Sequence, residues 1–122
     1  MSFRLCWTAE ATQTFQRLYR AAEQAASTRA KLSKTGGKGR TKSSKQEGLF
    51  KQVAKAIQRL AADPRHSSLN THDYDSLTNP FDPKGKVFEA YAQNKTPGAY
   101  RIFWCYGPNK GEITILAITP HP

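Results

Sequence analysis

The stretch GAYRIFWCYGPNKGEITILAI, residues 98–118, constrains the fold more than any other part of the chain. It holds two runs of β-branched and aromatic residues around a Pro-Asn-Lys-Gly turn, the pattern of a β-hairpin. Just before it, KVFEAYAQ (86–93) alternates in the same way and closes on NKTPG. Three successive strands with short turns pair as an antiparallel meander. The N-terminal FRLCWT (3–8) sets Phe3, Leu5 and Trp7 against Arg4 and Cys6, which predicts a further short strand.

A sheet needs cover, and the middle of the chain supplies it. Phe15, Leu18, Tyr19, Ala22 and Ala26 recur at helical spacing, predicting a helix from about Ala9 to about Leu32 with Thr8 as its cap. Leu49, Phe50, Val53, Ile57 and Leu60 form a second stripe. Its start is marked by Ser44 and Glu47 at capping-box spacing, and its end by Asp63-Pro64. The expected class is α+β: an N-terminal strand, two antiparallel helices, then a three-stranded antiparallel meander, with the helices on one face of the sheet. One domain spanning 1–122 is expected from the length. Residues 65–85 are turn-rich and predicted to be irregular, pinned to the core by Leu69, Tyr74, Leu77 and Phe81.

Charge narrows the partners. Lysine and arginine outnumber acids 19 to 9, and ten basic residues against the single acid Glu47 lie between Arg29 and Arg59. Such a field attracts polyanions, whether RNA, DNA or an acidic protein. Between the helices, residues 33–45 are too rich in glycine, serine and lysine to bury a core, so a flexible basic linker is expected, carrying Lys34, Lys38, Arg40, Lys42 and Lys45. Lys51 and Lys55 on the second helix extend this basic surface. No apolar run is long enough to span a bilayer, and MSFRLCWTAE has no cationic leader before an apolar stretch, so no membrane association and a cytoplasmic location are expected. Cys6 and Cys105 are expected to be buried thiols, being too few for a disulfide framework or a zinc set.

Period-two geometry puts Arg101, Phe103 and Cys105 on one face of their strand, and Ile102 and Trp104 on the other. If Ile102 and Trp104 pack on the helices, Arg101 lies on the open face. There it serves either as an ion-pair partner, for example of Glu89, or as a planar fork for a phosphate. Glu89 and Tyr91 share a face of the preceding strand. Tyr91 either packs or stacks on a base, and Glu89 either pairs or moves a proton. His121, between Pro120 and Pro122, is a second proton-transfer candidate. His66, His72, Asp73 and Asp75 share a loop but lack diagnostic ligand spacing, so no metal and no other cofactor is expected.

FRLCWTAEATQTFQRL, the helical pair, KVFEAY, GAYRIFWCY and ITILAITPHP together resemble the RelE/ParE superfamily of small toxins from bacterial type II toxin–antitoxin modules, over nearly the whole chain. The resemblance implies a small antiparallel sheet with two helices on one face. Within it, GAYRIFWCY matches the glycine–tyrosine–arginine strand, which gives Arg101 the contact to the scissile phosphate. The end of the last strand implies a catalytic role for His121. The strand before GAYR implies that Lys86, Glu89 and Tyr91 face the substrate. The chain departs from the usual pattern in its long SKTGGKGRTKSSK connection, in Glu89 where familiar members have lysines, and in having no basic residue after His121.

Taken this way, the protein is a ribosome-dependent mRNA endoribonuclease working without metal by 2'-hydroxyl attack on the adjacent phosphate. Its partners are then a cognate antitoxin, the ribosome and mRNA. Two alternatives stay open: a ParE-like gyrase inhibitor, and a non-catalytic relative that only binds a partner protein or nucleic acid.

Overall fold

The computed structural model describes residues 2–34, 45–93 and 98–120, without the side chains of 32–34. Strand β1 (Arg4–Trp7) leads into helix α1 (Ala9–Lys34). Helix α2 (Lys45–Ala62) follows, then β2 (His72–Asp73), β3 (Phe88–Tyr91), β4 (Tyr100–Tyr106) and β5 (Glu112–Pro120). The strands form one sheet in the order β1-β5-β4-β3-β2. β1 runs parallel to β5, and every other pair is antiparallel. The meander and the helical pair are as expected. The edge strand β2 is not: a two-residue strand has no periodicity to detect, and it lies within the stretch expected to be irregular.

Both helices cover one face. Ala11 and Leu18 of α1 and Val53, Ala56, Ile57 and Leu60 of α2 close over Phe88, Ala90, Ile102, Trp104, Ile113, Ile115 and Ile118. The helices join through rings, with Phe15 on Phe50, and Trp7 of β1 packs on Phe15, each pair 5.2 Å apart. An ion pair from Arg29 to the buried Glu47 (2.9 Å) ties them further along.

Ile113, Ile115 and Ile118 are spaced by two and then by three residues, which a regular strand cannot keep on one face. A bulge resolves this. Phe103 pairs with Ala117 while Trp104 pairs with Ile115, so Leu116 is the extra residue and the alternation is re-phased. The carbonyl of Leu116 accepts a hydrogen bond from the Thr8 hydroxyl (2.7 Å). The same hydroxyl oxygen accepts from the Ala11 amide (3.1 Å), so the expected cap of α1 also fastens its start to β5.

The second face of the sheet is only partly open. Phe103 and Cys105 are buried there because the chain after β2 crosses over them, with the Tyr74 ring 4.6 Å from that of Phe103. Asn79 holds this crossing in shape, its side chain accepting from the Phe81 amide (2.9 Å) and donating to the Lys86 carbonyl (3.3 Å). Leu69 and Tyr74 pin the segment as expected, whereas Leu77 and Phe81 remain largely exposed. Phe81 lies over Gly107, whose φ of +116° and closeness to that ring both favour glycine.

Cys105 is buried and Cys6 half-buried, and both are free thiols. Each pairs with Thr114, from opposite sides. Two strand spacings, about 9–10 Å, therefore separate them, too far for a disulfide. Among the described residues no helix is long and apolar enough to cross a membrane.

Candidate functional site

The uncovered part of the second face lies at the β2 side of the sheet, and the sheet register assembles it. His72 pairs with Glu89, Glu89 with Phe103, Tyr91 with Arg101, and Arg101 with Thr119. His72, Glu89, Tyr91 and Arg101 therefore share one face across three strands, opposite Ile102 and Trp104.

Arg101 is fixed from two sides. Its guanidinium carbon lies 3.6 Å from the centre of the Tyr91 ring, a close cation–π contact. Nη1 donates to the Gln93 carbonyl (2.9 Å), while Nε is buried without a hydrogen-bond partner among the described residues. Gln93 is held in turn, its side chain accepting from the Tyr100 amide (3.1 Å) and donating to Gln52 of α2 (2.7 Å). The helix flank thus steadies the loop that steadies the arginine.

Glu89 does not pair with Arg101. Its partner is His72, whose Nε2 lies 2.6 Å from Glu89 Oε1. The other ring nitrogen, Nδ1, is 2.9 Å from the Asn70 carbonyl, which can only accept, so Nδ1 carries a proton. The Glu89 side chain is 9% exposed and that of His72 is 48%, so the imidazole is the solvent-facing end of the pair. It also meets the Tyr91 ring edge-on at 5.6 Å. Asn70 makes this possible: in the left-handed conformation (φ 47°, ψ 42°) it turns the chain from the Ser67–Leu69 turn into β2.

No family model matches the sequence, and no curated protein is similar to it. Its likeness is to solved structures. A YoeB/ParE toxin from Agrobacterium tumefaciens superposes with a TM-score of 0.58 at 8% identity, over 98% of this chain and 99% of the other. An archaeal RelE–RelB complex from Pyrococcus horikoshii gives 0.53 at 12% identity, over 98% and 96%. A YoeB dimer from Staphylococcus aureus gives 0.53 at 9% identity, over the full length of both chains. The fold is that of the RelE/ParE toxins.

On this RelE/ParE fold, three residues expected at the site, Glu89, Tyr91 and Arg101, come together. Lys86 stands apart. It precedes β3 on the alternate phase and pairs with Asp73 (3.1 Å), both largely exposed, an interaction of little energetic weight. Lys51 and Lys55 are exposed on α2, and Lys55 lines a small cleft that Tyr91 also lines. Lys34 and Lys45 are not in a linker but in the last turn of α1 and the first residue of α2. Lys38, Arg40, Lys42 and His121 lie outside the described residues, as does Ser44. Pro120, the last residue of β5, pairs with Tyr100 beside Arg101.

His72 is the site residue that sequence reasoning missed. Considered only as a metal ligand, it proves to be the partner of Glu89. His66 instead caps the Ser67–Leu69 turn through Nδ1. Among the described residues no group of three or more His, Cys, Asp or Glu side chains could hold a metal ion.

Proposed function

We propose that the protein is the toxin of a type II toxin–antitoxin pair and acts as a ribosome-dependent mRNA endoribonuclease. The observation that carries the proposal is the grouping of Arg101, Tyr91 and the Glu89–His72 pair on the open face of a RelE/ParE fold. A guanidinium, an aromatic ring and a proton acceptor on one rigid surface are what phosphodiester cleavage by an internal 2'-hydroxyl requires. Tyr91 gives a base a surface to stack on and keeps Arg101 in place. Arg101 stabilises negative charge growing on the phosphoryl oxygens. Glu89 takes the proton from the 2'-hydroxyl on Oε2, the oxygen that His72 does not engage. The 2'-oxygen bonds to phosphorus, the bond to the 5'-oxygen breaks, and that oxygen leaves with a proton supplied by an acid. His121, one residue beyond the strand end that pairs beside Arg101, is assigned that part. The products are a 2',3'-cyclic phosphate and a 5'-hydroxyl.

Only the protein's own groups take part in this scheme. The ribosome would position the mRNA, so a sparse site suffices. An antitoxin, as in the similar RelE–RelB complex, would hold the protein inactive. Induction of the protein alone, followed by mapping of mRNA ends, tests the proposal. Cleavage within translated messages that Glu89→Gln abolishes is expected. Intact messages would refute it.

A further inference from the structure

Strand β2 covers β3 only at Phe88 and Glu89, which leaves the sheet edge bare at Tyr91 and Ala92. A cleft of about 180 Å³ opens there, between the flank of α2 and the Ser67–Leu69 turn. Gln52, Lys55 and Arg59 line it from the helix, Ser68 from the turn and Tyr91 from the strand. Lys55 and Arg59 are one helical turn apart and so project together. Neither has an acidic partner among the described residues. Arg59 is pre-set, with Nη1 donating to the Ser68 hydroxyl (2.8 Å), which is itself bonded to His66 Nδ1 (2.8 Å).

We infer that this cleft is a second phosphate subsite, which seats a backbone phosphate of the RNA neighbouring the one at Arg101. The inference rests on the ribonuclease reading for the identity of the ligand. Two cations and a hydroxyl on the rim of a small hollow, whose remaining lining includes Ala56, Leu69 and Ala92, suit an anion. The volume falls below the roughly 300–1,000 Å³ usual for small-molecule sites, so it fits a phosphate rather than a whole nucleoside. Tyr91 joins the two places, since it lines the cleft and stacks under Arg101. A single strand rounding the bare edge would therefore keep its backbone on cations at both points.

Two 2'-O-methyl oligonucleotides, which lack the attacking hydroxyl, test this: a tetranucleotide with three phosphodiesters and a dinucleotide with one. Binding to the whole protein is followed against salt for wild type, Lys55→Gln and Arg59→Gln. Lys55 makes no hydrogen bond among the described residues, so its variant keeps the fold even if Arg59→Gln disturbs the turn. Each substitution should lower the salt slope for the tetranucleotide by about 0.7, the value for one single-strand phosphate contact. Dinucleotide binding should be unchanged. Equal weakening of both probes, or of neither, overturns the inference. So does equally strong competition by polyglutamate, which would mark a general polyanion surface open to acidic proteins. A loss of dinucleotide binding in Arg101→Ala reports separately on the site itself, so the two readings fail independently.

Discussion

Removing the Thr8 hydroxyl should destabilise the protein far more than its half-exposed position suggests. That oxygen accepts from the Ala11 amide at the start of α1 and donates to the carbonyl of the bulge residue Leu116. Thr8→Val keeps the shape and removes both bonds. Losing a helix cap costs about 1 kcal/mol. Stranding a partly buried carbonyl adds about 0.5–1 kcal/mol, since water reaches part of it. The sum is about 1.5–2 kcal/mol, or roughly a 6–8 °C drop in Tm at this chain length. Guanidinium denaturation should show a lower midpoint at unchanged slope, and Thr8→Ser should recover most of the loss. A Thr8→Val protein within about 0.5 kcal/mol of wild type, the range of an ordinary surface change, would refute the reasoning.

Other outcomes follow from the same contacts. Gly107→Ala should cost about 1–2 kcal/mol through its positive φ alone, with a further part from the Phe81 ring that Phe81→Ala relieves; chemical denaturation of the single and double variants checks this. Burial pushes the Cys105 thiol up to about 11 from 9.0. The unfolded thiol therefore ionises first as pH rises, so this contribution is intact below about pH 9 and lost towards pH 11. Cys105→Ala should flatten that alkaline decline relative to wild type, and a thiol reagent should modify Cys6 well before Cys105 in the native protein. His72→Phe should lower the melting temperature and slow mRNA cleavage, because it leaves the buried Glu89 carboxylate without its partner; thermal melts and single-turnover cleavage on programmed ribosomes, run where the variant is folded, measure the two effects.

Much of the fold was legible because its signals are periodic. The alternation of Ile102 and Trp104 with Arg101 and Phe103, and the stripe from Leu49 to Leu60, each specify an element and the face it buries. The strand rule failed at Leu116, where a bulge adds a residue and re-phases β5. It also failed at His72–Asp73, which is too short for a period and exists only because Asn70 turns the chain onto the edge of β3. The site was half legible for the same reason. Arg101, Glu89 and Tyr91 stand on regular strands, so parity placed them together. His72 reaches them from the two-residue strand β2, and its bond to Glu89 depends on a register that local sequence does not encode. Lys86 carried the right charge on the wrong phase, and tertiary geometry gave it to Asp73.

The central claim is that Arg101 belongs to a site that cuts translated mRNA. It is tested most directly by mapping transcript ends after induction of wild type and of Arg101→Ala, with circular dichroism melts confirming that the variant is folded. The account predicts new 5'-hydroxyl ends inside coding regions and falling protein synthesis for wild type, and neither for the variant. Intact transcripts under wild-type induction, with growth arrested by inhibited DNA supercoiling or not arrested at all, would contradict it.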